Sequence, residues 1–188
     1  IESYIEQNKR VAVVCIDPSS PFNLGSLLGD RIRMNQWFNH PNVFIRSLSS
    51  RGSLGGLNPK TIEITEISKA AEFDLIIIET VGVGQSEIEI AGLADITIVI
   101  LVPESGDEIQ IMKAGLMEIA DFFVVNKADR PGADQAVMSI KMVLQFKHGE
   151  DGWIPEVLKA SANSGKGIEE IATLVQTHKE HFALFLSY

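Results

Sequence analysis

The four residues Asn126-Lys127-Ala128-Asp129 directly follow the apolar run Phe122-Phe123-Val124-Val125, and they carry the clearest chemistry in the chain. An ionised Asp only accepts hydrogen bonds, so Asp129 can take two from N1 and N2 of guanine, a donor pair that adenine lacks. Asn126 can brace the loop and touch the base, and Lys127 can pack over the ring. A chance match at three such positions is, roughly, an event of a few per cent. That makes a mere polar turn the weaker explanation. Ser161-Ala162-Asn163 follows the next apolar run, where a backbone N–H can meet guanine O6. Alone it would be an ordinary loop; one strand-helix unit beyond Asn126 it corroborates.

Three carboxylates stand where a cation could be held: Asp17, Asp30 and Glu79. Magnesium takes a few carboxylates together with waters and phosphate oxygens. Taken singly, Asp17 before Pro18 also suits an Asx turn and Asp30 a solvated helix position, so both alternatives stay open. Glu79 is harder to assign elsewhere, because it closes the run Leu75-Ile76-Ile77-Ile78 and precedes Gly82 and Gly84. Ligands of open α/β sheets lie beyond the carboxyl ends of such strands. His178 and His181 share a helical face at i and i+3, but without a third ligand they read as a solvated face. His40 and His148 fall in polar turns, and Cys15 reads as a small buried hydrophobe.

These residues need a scaffold that brings strand ends together. Apolar β-forming runs predict strands at 11–16, 43–46, 74–79, 96–102, 122–125 and 157–160, and helical spacing predicts helices at 26–38, 59–71, 108–120, 133–146 and 167–186. Strict alternation of the two implies an α/β fold, a mainly parallel sheet with helices on both faces. The 188 residues fit one domain. Hydrophobic residues at 45% and charged ones at 22% are the composition of an ordinary globular protein rather than of a disordered chain. A net charge of -9 argues against nonspecific binding to nucleic acid or to an anionic membrane. No apolar run approaches the ~20 residues of a membrane span. A single cysteine allows no internal disulfide, so the cytoplasm is the expected compartment, or the mitochondrial matrix in a eukaryote.

Five stretches are characteristic when taken together: VVCIDPSSPFNLGSLLGDRIRM (13–34), SRGSLGGLNPK (50–60), FDLIIIETVGVGQSE (73–87), SGDEIQ (105–110) and ADFFVVNKAD (120–129). On them the sequence strongly resembles the cobalamin-mutase chaperone GTPases, within the metallochaperone class of P-loop GTPases, formerly called lysine/arginine/ornithine transport system kinases. The resemblance implies a P-loop NTPase-like fold, GTP or GDP with Mg2+ as cofactors, and Asp17 and Asp30 in the first switch and metal shell. It implies that Glu79 to Gly82 form the second switch, Glu79 replacing the usual Asp of DxxG and Gly82 lying near the γ-phosphate. It also implies a further, mutase-sensing switch at 104–110 and a water-positioning role for Gln85. The implied partner is an adenosylcobalamin-dependent acyl-CoA mutase, with a homodimer in the full-length form.

One part of the family pattern is missing. A phosphate loop needs GxxxxGK followed by Ser or Thr, and the only Gly-Lys pair, Gly165-Lys166, has Ala160 in place of the first Gly and Gly167 in place of Ser or Thr. The expectation is a GTPase domain over 1–188 that is incomplete at its N-terminus and lacks the phosphate-loop strand. Such a chain would recognise guanine but hold triphosphate poorly. The rival expectation is a non-hydrolysing guanine-nucleotide or partner-binding module.

Overall fold

Six apolar runs form strands in the computed structural model, which describes residues 1–17, 34–49, 59–80, 91–103, 115–145 and 153–185. They fall into two units, residues 1–93 and 94–188. Each unit holds its own three-stranded parallel sheet.

The first unit runs α1 (Glu2–Ile5), β1 (Val11–Asp17), β2 (Val43–Ser49), α2 (Pro59–Ala70) and β3 (Leu75–Thr80), with strand order β2-β1-β3. Central β1 is buried from Val11 to Ile16, as an uninterrupted apolar run should be. On one face Val11, Val13 and Cys15 pack with Tyr4 and Ile5 of α1 and with Ile45, Leu75 and Ile77. Parallel pairing brings the carboxyl ends of the three strands to one edge: Asp17 is opposite Ser49, and Ile16 is opposite Thr80.

Helix α2 packs on β1 and β3 through an unexpected face. Thr61, Thr65 and Ser68 are buried, whereas Ile62 and Ile67 are 51% and 67% exposed. The Thr65 and Ser68 hydroxyls donate to carbonyls four residues back, both at 2.8 Å, so their burial leaves them satisfied. Arg10 then locks the helix end to the sheet. Its guanidinium donates to the Ala71 carbonyl at 2.6 Å and lies over the Phe73 ring, while its N–H donates to Asp74 at 2.8 Å. Carbonyls at a helix C-terminus have no partner within the helix, and Arg10 supplies one.

The second unit runs β4 (Ile98–Leu101), α3 (Leu116–Ile119), β5 (Phe122–Val125), α4 (Ala133–Leu144), β6 (Glu156–Lys159) and α5 (Ile168–Phe185), with order β4-β5-β6. Alternate residues of β5 serve opposite faces. Phe123 and Val125 join Val99, Leu101 and Val157 against Ala136, Ile140 and Leu144 of α4. Phe122 and Val124 pack with Ile171, Leu174 and Val175 of α5. The sheet of this unit is thus covered on both faces, and burying each Phe of β5 contributes about 1.5–3 kcal/mol.

Several expected elements differ in extent. Strand β2 continues three residues past the predicted end, to Ser49, because it pairs with β1 along its whole length. Strand β4 is shorter, Ile98–Leu101, matching the four residues of β5 that it faces. Most of the helix expected at 26–38 lies outside the described residues, and Asn35–Trp37 is a single 3-10 turn. Of the helix expected at 108–120, Leu116–Ile119 is described.

The histidine pair of α5 requires a correction, since its face is not solvated. His178 is 2% exposed. Trp153 meets it edge-on at 4.6 Å and also lies against His181, while Phe182 stacks on His178 at 4.5 Å. His178 Nε2 comes within 3.2 Å of Asp121 Oδ1, close enough for an ion pair but misaligned for a hydrogen bond. The face is turned inward because Trp153, ahead of β6, covers it. Among the described residues, no three His, Cys, Asp or Glu side chains are grouped to hold a metal ion. No described helix is long and apolar enough to cross a membrane.

Candidate functional site

The site grows out of the carboxyl end of β5. Asn126 N–H donates to Leu101 O at 2.8 Å, carrying the sheet ladder one residue beyond the strand. Lys127 then takes φ +55°, a left-handed conformation that turns the chain out of the sheet. A residue with a Cβ holds that conformation at a cost of about 1–3 kcal/mol, and such residues cluster where ligands bind. The Asn126 side chain secures the turn, with Oδ1 accepting from Lys127 N–H at 2.8 Å and from Ala162 N–H at 3.2 Å. Ala128 N–H donates to Ala160 O at 2.9 Å. Residues 126–129 are therefore fastened on both sides, to β4 and to the end of β6.

The second loop follows β6. Ser161 N–H donates to Lys166 O at 2.9 Å, closing a short loop whose interior is the 3-10 turn Ala162–Ser164. Gly165-Lys166 closes this turn, in keeping with the sequence reading that the pair is no phosphate loop. Buried Ser161 donates its hydroxyl to Asp129 Oδ1 at 2.5 Å, joining the two loops directly. Asn126, Lys127, Asp129, Arg130, Ser161, Ala162 and Asn163 line one recess of about 90 Å³.

All five base-site residues expected from sequence, Asn126, Lys127, Asp129, Ser161 and Ala162, are thus brought together. Sequence reasoning missed Arg130, which directly follows Asp129; only the closure of the two loops makes it, with Asn163 of the Ser161-Ala162-Asn163 stretch, a wall of the recess. The Ser161 hydroxyl, followed by Asp129's own amide, holds the Asp129 carboxyl below its ordinary range, with Arg130 and Lys127 adding to the effect. An ionised, acceptor-only carboxylate beside backbone amides can receive a planar base that presents two adjacent donors.

A pH dependence follows. With its pKa lowered, Asp129 stays charged as pH falls through the usual carboxylate range and protonates only below it. Ser161→Ala removes the largest cause, so the titration midpoint of Asp129, read by carbon NMR of its carboxyl, is expected to move up. An unmoved midpoint would show that the hydroxyl does not act on the carboxylate.

The metal-ligand candidates belong to the first unit. Asp17 ends β1, and Glu79 lies exposed on β3 opposite Cys15, two register positions short of Asp17. Both positions stand toward the carboxyl edge of one parallel sheet. Asp30, Gly82 and Gln85 lie outside the described residues, as does the further switch at 104–110.

The chain is similar to known proteins in sequence and in fold. The family model described as "Methylmalonyl Co-A mutase-associated GTPase MeaB" matches residues 1–185. A Pyrococcus horikoshii protein bearing a GTPase name is 46% identical over 187 residues, covering 96% of this chain and 59% of that protein. GTPase ArgK of Escherichia coli is 41% identical over 89% of this chain and 52% of its own length. The mouse mitochondrial methylmalonic aciduria type A homolog is 38% identical over 88% of this chain and 41% of its own. The chain therefore spans about three-fifths or less of the length of these relatives. Among solved structures, HypB from Helicobacter pylori in complex with nickel aligns with TM-score 0.60 at 19% identity, over 93% of this chain and 77% of that one. The hydrogenase maturation factor HypB of Archaeoglobus fulgidus aligns similarly, with TM-score 0.59 at 18% identity over 93% and 78%. At such identities the likeness speaks for the fold alone, the α/β fold of P-loop GTPases.

Proposed function

The chain belongs to the MeaB family of methylmalonyl-CoA mutase-associated GTPases, and from that premise we propose that it is the base-recognising part of a magnesium-dependent GTPase. In this reading the enzyme couples GTP hydrolysis to loading, gating or protecting an adenosylcobalamin-dependent acyl-CoA mutase. The observation that carries it is the joining of the Asn126–Asp129 loop to the Ser161–Lys166 loop through the Ser161–Asp129 hydrogen bond.

Asp129 receives N1 and N2 of guanine, a backbone amide of the 161–163 turn receives O6, and Lys127 packs over the base. Asn126 holds both loops in register. Asp17, Asp30 and Glu79 are the proposed magnesium ligands, Gly82 a γ-phosphate contact, and Gln85 the residue that orients water. When bound, magnesium neutralises charge on the phosphate oxygens. Phosphoryl transfer is catalysed mainly by positioning and charge stabilisation, so a slow basal enzyme is accelerated when a partner orders its switches.

The test is GTP hydrolysis by the full-length protein with and without an adenosylcobalamin-dependent acyl-CoA mutase. Addition of the mutase is expected to raise the rate by about tenfold or more. A rate unchanged by such mutases would defeat the coupling, while measurable hydrolysis would still leave a GTPase. Guanine-nucleotide binding with no hydrolysis at all would favour a docking module, the reading suggested by the missing GxxxxGK[ST] pattern.

A further inference from the structure

We infer that Gly167 is a positioning residue for base discrimination, its bare Cα letting the 161–166 loop close on the end of β6 at the spacing that joins Ser161 to Asp129. The inference rests on the guanine reading above and deepens it. Gly167 is buried, takes φ +83°, and its carbonyl accepts the first hydrogen bond of α5, from Ile171 N–H at 3.2 Å. A Cβ at this position would lie 2.2 Å from Lys159 O and 3.0 Å from Ala160 Cα. Both neighbours are backbone, so they cannot swing aside as a side chain would. Either the end of β6 or the start of α5 would have to move.

Each of those segments holds part of the site. Ala160 N–H donates to Val125 O and Ala160 O accepts from Ala128 N–H, both at 2.9 Å, which ties the end of β6 to the 126–129 loop. Lys166, adjacent to Gly167, accepts from Ser161 N–H. A shift at 167 therefore reaches Ser161 through Lys166 and Asp129 through both ties. Binding geometry tolerates displacements of only about 0.5 Å, less than such a contact demands.

Gly165 makes the contrast. It takes φ +73°, yet a Cβ there would meet nothing within 4 Å. Its role is conformational, and Asn, which tolerates the left-handed region, can replace it. One loop thus contains two glycines with different duties: Gly165 supplies a turn and Gly167 a close approach.

The experiment measures dissociation constants of GDP and IDP by calorimetry on the full-length protein. IDP lacks the 2-amino group, so the wild type is expected to prefer GDP by about 10- to 100-fold. Gly167→Ala is expected to weaken GDP by about tenfold or more and IDP much less, lowering the preference to below about threefold. Gly165→Asn should keep the wild-type preference. A folded Gly167→Ala that weakens both nucleotides equally, or retains the preference, overturns the inference. A wild type that does not distinguish GDP from IDP would instead defeat the guanine reading itself. Should Gly167→Ala fail to fold, a glycine inserted between Gly165 and Lys166 breaks the same closure without adding a Cβ. It must also collapse the preference, and retention there is equally decisive against the proposal.

Discussion

Asp129→Asn in the full-length protein is expected to weaken GDP binding by about 100-fold or more and to create affinity for xanthosine diphosphate. The argument rests on donors and acceptors. A carboxylate accepts from both N1–H and the 2-amino group of guanine, each bond strengthened by the charge. An amide can accept from N1–H but turns its NH2 toward the 2-amino group, donor against donor. Xanthine carries a carbonyl at that position, so the same amide pairs with it. Asp129 is exposed and its Ser161 contact can persist with Asn, so the fold should not change. Competition binding with the two diphosphates measures the exchange. GDP affinity within threefold of wild type would mean that Asp129 does not read the base.

Asp121→Ala should act at the other end of β5, lowering stability by about 2–4 kcal/mol. Asp121 Oδ2 accepts Thr97 N–H at 2.6 Å ahead of β4, and Oδ1 approaches buried His178 on α5 at 3.2 Å. Truncation leaves the Thr97 amide without its acceptor and removes the carboxylate beside the buried His178 ring, which in a partly buried place costs far more than losing an exposed bond. For a chain of this length, the loss corresponds to a melting temperature lower by roughly 5–15 °C. Trp153 Nε1 donates to the Asp121 main-chain carbonyl at 2.8 Å, and alanine keeps that bond. Asp121→Asn, which restores an acceptor for Thr97, should recover part of the loss. The preference for GDP over IDP should be unaffected, because Asp121 and Asn126 stand at opposite ends of β5. A melting temperature unchanged in Asp121→Ala would remove Asp121 from the set of structural ties.

The two expectations separate recognition from support on one short strand. Phe122 to Val125 pack both faces of a sheet, Asn126 onward forms the proposed base site, and Asp121 anchors what lies behind. Parallel sheets divide labour in this way because every strand end points to the same edge, where loops are free to vary. The same logic applies in the first unit, where Asp17 and Glu79 reach the carboxyl edge of their own sheet.

Much of this could be read from the sequence, and the reasons are physical. Central strands buried on both faces must be apolar throughout, so β1 and β5 announce themselves as Val11–Ile16 and Phe122–Val125 without any alignment. A base-reading loop needs specific donors and acceptors a few residues apart, which makes Asn126, Lys127 and Asp129 recognisable as a group. The extents of β2 and β4 were less legible, because pairing length is set by the neighbouring strand.

Tertiary structure alone decided what depends on distant partners. Helix α2 buries Thr61, Thr65 and Ser68 and exposes Ile62 and Ile67, the reverse of what hydrophobicity suggests, because helix–sheet packing selects the face and local carbonyls satisfy the Thr65 and Ser68 hydroxyls. His178 and His181 look solvated by spacing, yet Trp153, 25 residues before His178 in the chain, covers them. Gly167, noticed in the sequence only for not being Ser or Thr, owes its necessity to a carbonyl eight residues away in sequence and 2.2 Å from where a Cβ would sit. Residue type and spacing by themselves pointed to an α/β chain with a candidate base-reading loop. Which groups support that site, and through which contacts, was decided by packing between segments that the linear order keeps apart.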